Sequence, residues 1–203
     1  MQDATNSLFN FSTPLNLPGG PLGVIRAQGA DTVKFLQGQL TQDVALLGLD
    51  QARLAAWCSA KGRMLASFIV LKQAPDDILL LCHPSVLAAT LKRLQMFVMR
   101  AQCKLSDATA QFEVLGLAGD TIKSIAACAV DIWTISRNGT ENGPEMQIQL
   151  PAGTHDGAAV GRALVIRPFA NANANANVNA ANTNTDSNTA AANVEALAAW
   201  AYL

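Results

Sequence analysis

Two short segments of this chain hold the side chains best suited to bind or act on a ligand. The first runs Phe35-Leu36-Gln37-Gly38-Gln39-Leu40-Thr41-Gln42-Asp43-Val44. Gln37, Gln39, Gln42 and Asp43 supply donors and acceptors around Gly38, a residue whose missing Cβ lets another backbone come close. Such a cluster is either the polar end of a helix or one side of a binding site. The second runs Trp57-Cys58-Ser59-Ala60-Lys61-Gly62-Arg63-Met64. Lys61 and Arg63 flank a glycine where a hairpin tip is expected, beside the indole of Trp57. A Lys-Gly-Arg turn serves as a solvated loop. With an aromatic ring next to it, it also suits the carboxylates and ring of an anionic heterocycle.

The other candidates read as structural. His83 stands before Pro84 at a strand-to-helix junction, where capping is the plainer role, and His155-Asp156 lies in a glycine-rich loop. Asp76-Asp77 follows Pro75 and is ordinary turn chemistry between strands. No serine sits in a nucleophile elbow and no glycine-rich phosphate loop is present. The four cysteines, Cys58, Cys82, Cys103 and Cys128, lack the paired spacing of a zinc or iron–sulfur signature. They read as separate buried thiols in a reducing cytoplasm.

The elements that must position these residues follow from patterning. Of 203 residues 50% are apolar, enough for a real core, while aromatics are 5% and charged residues 14%. The net charge of −1 argues against a general nucleic-acid or anionic-membrane binder. The basic residues gather in the first half, so an anion site is expected there. No basic start followed by an apolar run marks a secretory signal, and no apolar stretch approaches a membrane span. Residues 1–21 read as an irregular arm and 22–27 as a strand. A helical pattern then opens at Gly29-Ala30-Asp31, with Val33, Leu36 and Leu40 on one face. Residues 54–58, 63–72 and 78–82 predict a three-stranded antiparallel meander. In its middle strand Met64, Ala66, Phe68 and Val70 face one way and Leu65, Ser67, Ile69 and Leu71 the other, so both sides should be covered.

Pro84 starts a helix in which Leu87, Leu91, Leu94 and Val98 keep the 3.6-residue period. Strands are expected at 102–106, 111–117, 131–136, 147–150 and 163–167, a helix at 120–127, and a turn at Asn138-Gly139. Irregular alternation of hairpins and helices makes the fold class α+β, built of antiparallel sheets with packed helices. The expected organisation is a main domain over 22–117, a second subdomain over 118–169, and an Asn/Ala-rich linker over 170–193 whose composition specifies no core. Residues 194–203 read as the start of a helix that the chain cuts short.

Taken together, residues 35–44 and Ala55-Ala56-Trp57-Cys58-Ser59-Ala60-Lys61-Gly62-Arg63-Met64 resemble the YgfZ family, folate-binding relatives of the glycine cleavage T-protein, an aminomethyltransferase. The resemblance continues through Leu91-Lys92-Arg93-Leu94 and Phe97-Val98-Met99-Arg100 to Lys104-Leu105-Ser106-Asp107, and holds beyond residue 117 only in pattern. It implies a bacterial, cytoplasmic protein that binds tetrahydrofolate and supports iron–sulfur cluster assembly or repair, including in enzymes that modify tRNA. Its partners would be the folate and iron–sulfur client proteins, with neither direct nucleic-acid binding nor a membrane. Gln39, Asp43, Trp57, Lys61 and Arg63 are the folate-binding candidates that it implies. The family's Lys-Gly-Cys-Tyr-Thr-Gly-Gln-Glu segment is not in this sequence, so the chain reads as incomplete at its C-terminus and none of its cysteines inherits that role. The aminomethyltransferases carry an aspartate pair on the strand after the glycine turn; the matching residues are Ala66 and Ser67. Their pterin-binding asparagine falls near Cys82 or His83. No catalytic residue is therefore assigned and binding without catalysis is expected, with a folate-dependent aminomethyltransferase as the alternative.

Overall fold

The computed structural model describes residues 11–14, 16–17, 20–118, 131–140, 143–155 and 158–169. The elements are β1 (Phe11–Pro14), β2 (Asn16–Leu17), β3 (Gly20–Pro21), β4 (Gly23–Gln28), α1 (Thr32–Gln37), β5 (Ala52–Cys58), β6 (Met64–Ala74), β7 (Asp77–Cys82), α2 (Pro84–Val98), β8 (Lys104–Asp107), β9 (Phe112–Ala118), β10 (Ile135–Thr140), β11 (Gly143–His155) and β12 (Ala158–Pro168). Two antiparallel five-stranded sheets result, in the orders β5-β6-β7-β4-β8 and β1-β9-β12-β11-β10. This is the expected α+β class.

The period-2 pattern sorts the first sheet into two faces. Ala55, Trp57, Ala66, Phe68, Val70, Ile78, Leu80, Ile25 and Ala27 form one buried cluster with Phe35 and Leu36 of α1 and Leu87 and Leu94 of α2. Val24, Ala52, Ile69, Leu71, Leu79 and Leu81 point the other way, into a cluster with Val114, Met146, Ile148, Leu164 and Ile166 of the second sheet. The molecule is therefore helices on sheet on sheet, with β6 and β7 in the middle layer.

Polar side chains tie the layers together. Arg26 reaches Asp77 through Nε and Nη2, the shorter bond being 2.6 Å, and donates Nη1 to Gln111 at 3.1 Å. Gln28 donates to the same Asp77 carboxylate, and the Arg26 guanidinium lies over the Phe112 ring. Its hydrogen bond to Asp77 holds the Arg26 pKa above the ordinary arginine value. Asp77→Ala should cost about 2–3 kcal/mol, because it strands a mostly buried cation, and equilibrium urea unfolding measures this. Arg137 of β10 donates to the carbonyls of Leu49, Lys72 and Gln73, fastening the second sheet to the meander. Gly29, at φ +126° with the Gln102 carbonyl where a Cβ would sit, makes the exit from β4 that no other residue could make unstrained.

Several expectations need correction. Phe11–Pro14 is no irregular arm but an edge strand paired with β9. Strand β9 itself joins the second sheet, so the sheets do not divide at residue 117. Helix α1 ends at Gln37; Leu40 is buried instead through a bridge to Trp57. The strand expected at 131–136 begins at Ile135, after Trp133 takes a positive φ of 66°. Asn138-Gly139 lies inside β10, facing Glu145 and Pro144, and is not a turn. Strands β11 and β12 extend well beyond 147–150 and 163–167. The expected helix at 120–127, Cys128, the linker and the final helix lie outside the described residues.

Candidate functional site

The two segments singled out in the sequence come together at one end of the β5–β6 hairpin. Leu40 bridges to Trp57, and the Thr41 amide donates to the Ala56 carbonyl at 3.0 Å while the Thr41 hydroxyl accepts from the Ala56 amide at 2.9 Å. Leu40 and Thr41 thus lie along the outer edge of β5. The tip is closed by Ser59, whose amide donates to the Arg63 carbonyl and whose Oγ accepts from the Arg63 amide. Gly62 sits at φ +75° in open space, so the turn needs glycine for its backbone and not for room. Lys61 and Arg63 project from this tip, exposed and, among the described residues, without an ion pair.

Not all of the expected site side chains are available to a ligand. Gln37 Oε1 accepts from the Val44 and Ala45 amides, and Asp43 Oδ1 from the Leu46 amide. These side chains shape the loop. Gly38 has an ordinary right-handed φ of −82°, with no close backbone approach. Gln39 is half-buried next to the bridge. Trp57 is 5% exposed and points into the core under α2, with the Arg93 guanidinium 5.7 Å from its ring centre. An indole covered in that way has no face left for a ligand ring.

The open side of the hairpin is the opposite one. Register pairs Leu54 with Ile69 and Ala56 with Ser67, so these residues and Leu65 share the face on which the second sheet packs further along. That sheet stops short of them. Leu54 is 53% exposed and Leu65 36%, with Ser67 exposed between them, whereas Ala66 is buried on the helix side. The expectation that β6 is covered on both sides therefore holds for Phe68 to Leu71 and fails at Met64, Leu65 and Ser67. An apolar plane bordered by two exposed cations is the arrangement that results. The sequence carried a signal for it in the alternation of Leu65 and Ser67 directly after Arg63.

The remaining candidates are structural. His83 caps α2, its Nδ1 accepting from the Ser85 amide. Burial pushes the Cys82 thiol up to about 12, with the Asp107 charge adding to it. Cys82 should therefore resist alkylation at neutral pH until the chain unfolds, while half-buried Cys58 is labelled in the folded chain; peptide mass spectrometry separates the two. Among the described residues no group of His, Cys, Asp and Glu is placed to hold a metal ion.

Two antiparallel sheets stacked under a pair of helices, with a cation-tipped hairpin at one end, have the fold of the glycine cleavage T-protein. The chain superposes with a TM-score of 0.59 on the glycine cleavage system aminomethyltransferase T from Bartonella henselae, at 14% identity over 72% of this chain and 40% of that one. Residues 20–136, more than half of the chain, match the model of the GCVT N-terminal domain, and the protein belongs to that family. Its curated relatives include the tRNA-modifying protein YgfZ of Sodalis glossinidius, 36% identical over 47% of this chain and 29% of that protein. Another is the YgfZ of Hamiltonella defensa, 33% identical over 51% of this chain and 30% of its own length. The chain thus matches about a third of these relatives. Among the described residues no helix is long and apolar enough to cross a membrane.

Proposed function

We propose that this chain binds a reduced folate, tetrahydrofolate or a derivative, and binds it without transferring an aminomethyl group. The observation that carries this reading is the docking of Leu40 and Thr41 on Trp57 and Ala56 of the hairpin whose tip bears Lys61 and Arg63, beside the open plane of Leu54, Ala56 and Leu65. The folate chemistry fits those groups. Its flat pterin buries apolar area against the plane, and its glutamate tail offers two carboxylates to two cations that form no ion pair among the described residues. One open face covers one side of the ring, so the affinity is modest beside that of a closed pocket. By likeness to the tRNA-modifying relatives, the bound folate serves iron–sulfur proteins of the cytoplasm, those that modify tRNA among them.

Aminomethyl transfer is the competing reading, and residues 66 and 67 weigh against it. Neither alanine nor serine can hold a carboxylate against the folate nitrogen, and loss of a positioned acid or base costs about 10²–10⁴ in rate. No methylenetetrahydrofolate should form from an aminomethyl-lipoyl donor above a protein-free control. Calorimetric titration with tetrahydrofolate tests the binding itself. Lys61→Ala combined with Arg63→Ala should weaken it by about 2- to 30-fold, the range for two exposed charge pairs. Absence of binding, or binding that the double variant leaves unchanged, would refute the proposal.

A further inference from the structure

The outer surface at the end of α2 has a composition that neither the core nor the folate reading uses. Met96 is 71% exposed, Phe97 50% and Met99 88%. Lys92, Arg93, Met96 and Phe97 occupy one helical face by their spacing of three and four, and Arg100 follows directly after the helix. Met99 takes a positive φ of 45°, a strained conformation for a residue with a side chain, and this leaves its thioether in solvent. No aspartate or glutamate occurs anywhere from residue 78 to 106, a stretch that holds Lys92, Arg93, Arg100 and Lys104. Among the described residues none of these four forms an ion pair, and Arg93 lies against the Trp57 ring.

We infer that this end of α2 is a docking surface for an acidic, amphipathic segment of a partner protein. Two features point to that occupant. Methionine, phenylalanine and arginine are the side chains enriched in protein interfaces, and methionine adapts its shape to what covers it. The cations surround the apolar group with no acid among them, so a partner presenting aspartate or glutamate around leucine or phenylalanine matches both charge and apolar area. Phe97 is the one exposed ring here, which is poor provision for stacking successive nucleotide bases. Lys92, Arg93 and Arg100 beside a single turn of apolar side chains also fall short of the paired signals that stable membrane anchoring takes. The surface does not depend on the folate site, and a chain unable to bind folate would still carry it.

The test uses the full chain and a fluorescent helix-forming peptide of glutamate and leucine, followed by anisotropy. A peptide with lysine in place of glutamate, vesicles of phosphatidylglycerol and a single-stranded RNA oligonucleotide form the other arms. The glutamate peptide should bind, and more weakly as salt is raised. Lys92→Glu with Arg100→Glu should weaken binding about tenfold or more, and Met96→Ser with Phe97→Ser should do likewise. All four side chains are exposed, so urea midpoints should stay close to that of the parent and show that folding is intact. Failure of the glutamate peptide to bind, equal binding of the lysine peptide, or indifference to both double variants overturns the inference. Vesicle or RNA binding that these variants abolish, in place of peptide binding, overturns it as well.

Discussion

Phe68→Ala should cost about 3–5 kcal/mol, the range for truncating a fully buried aromatic side chain. Phe68 is the largest of the fully buried side chains, and it stands at the centre of β6 beneath the helices. Its cluster joins α1 through Phe35 and Leu36 and α2 through Leu87 and Leu94. A cavity there loosens three elements at once. Since domains of this kind are stable by only about 5–15 kcal/mol, such a loss should place a large part of the unfolding transition at low urea. The same strand carries Arg63 to the hairpin tip, so the candidate site should fail with the core. Equilibrium urea unfolding measures the effect, and a midpoint equal to that of the parent would show that Phe68 is not where the helices are held.

A second large effect separates two neighbouring positions. Ala66→Asp puts a carboxylate into the apolar helix-side core next to Trp57, a cluster that among the described residues holds no charged side chain, with the Arg93 guanidinium already placed over the indole. An unpaired buried charge of this kind should cost about 3–5 kcal/mol. Ser67→Asp places the same group on the open face and should change stability by no more than about 0.5 kcal/mol. Of residues 66 and 67, which the family resemblance sets against the aminomethyltransferase acids, position 67 is thus the one from which a carboxylate would face the open side of β6. Parallel urea titrations of the two variants decide the matter. Equal losses would mean that the two faces of β6 have been exchanged.

The part of the fold between Gly23 and Asp107 was legible because local patterns and tertiary demands agree there. The alternation in residues 64–71 fits a strand packed on two sides, and Pro84 with leucines at the helical period fits α2. The second sheet was harder to read for the opposite reason. Asn138-Gly139 is a strong local turn signal, but register with Glu145 and Pro144 overrides it and keeps the pair extended. Strand β1 pairs with β9 across more than a hundred residues, and no local signal marks such a partner. At the site, turn chemistry placed Lys61 and Arg63 correctly at a hairpin tip. Trp57 was misplaced because aromatic character beside a basic turn suits a ligand ring and a core equally well. Alternation says which residues share a face; it does not say which face stays uncovered. That depends on where the second sheet ends, short of Leu54, a matter of long-range packing.

Hydrogen exchange followed by mass spectrometry, with and without tetrahydrofolate, tests most directly whether the ligand sits where the two segments meet. Folate should slow exchange in residues 39–43, 54–58 and 61–67 and leave the peptides of β11 and β12 unchanged. Protection confined to the second sheet, or no protection at saturating folate, would contradict the assignment of the site to this end of the β5–β6 hairpin.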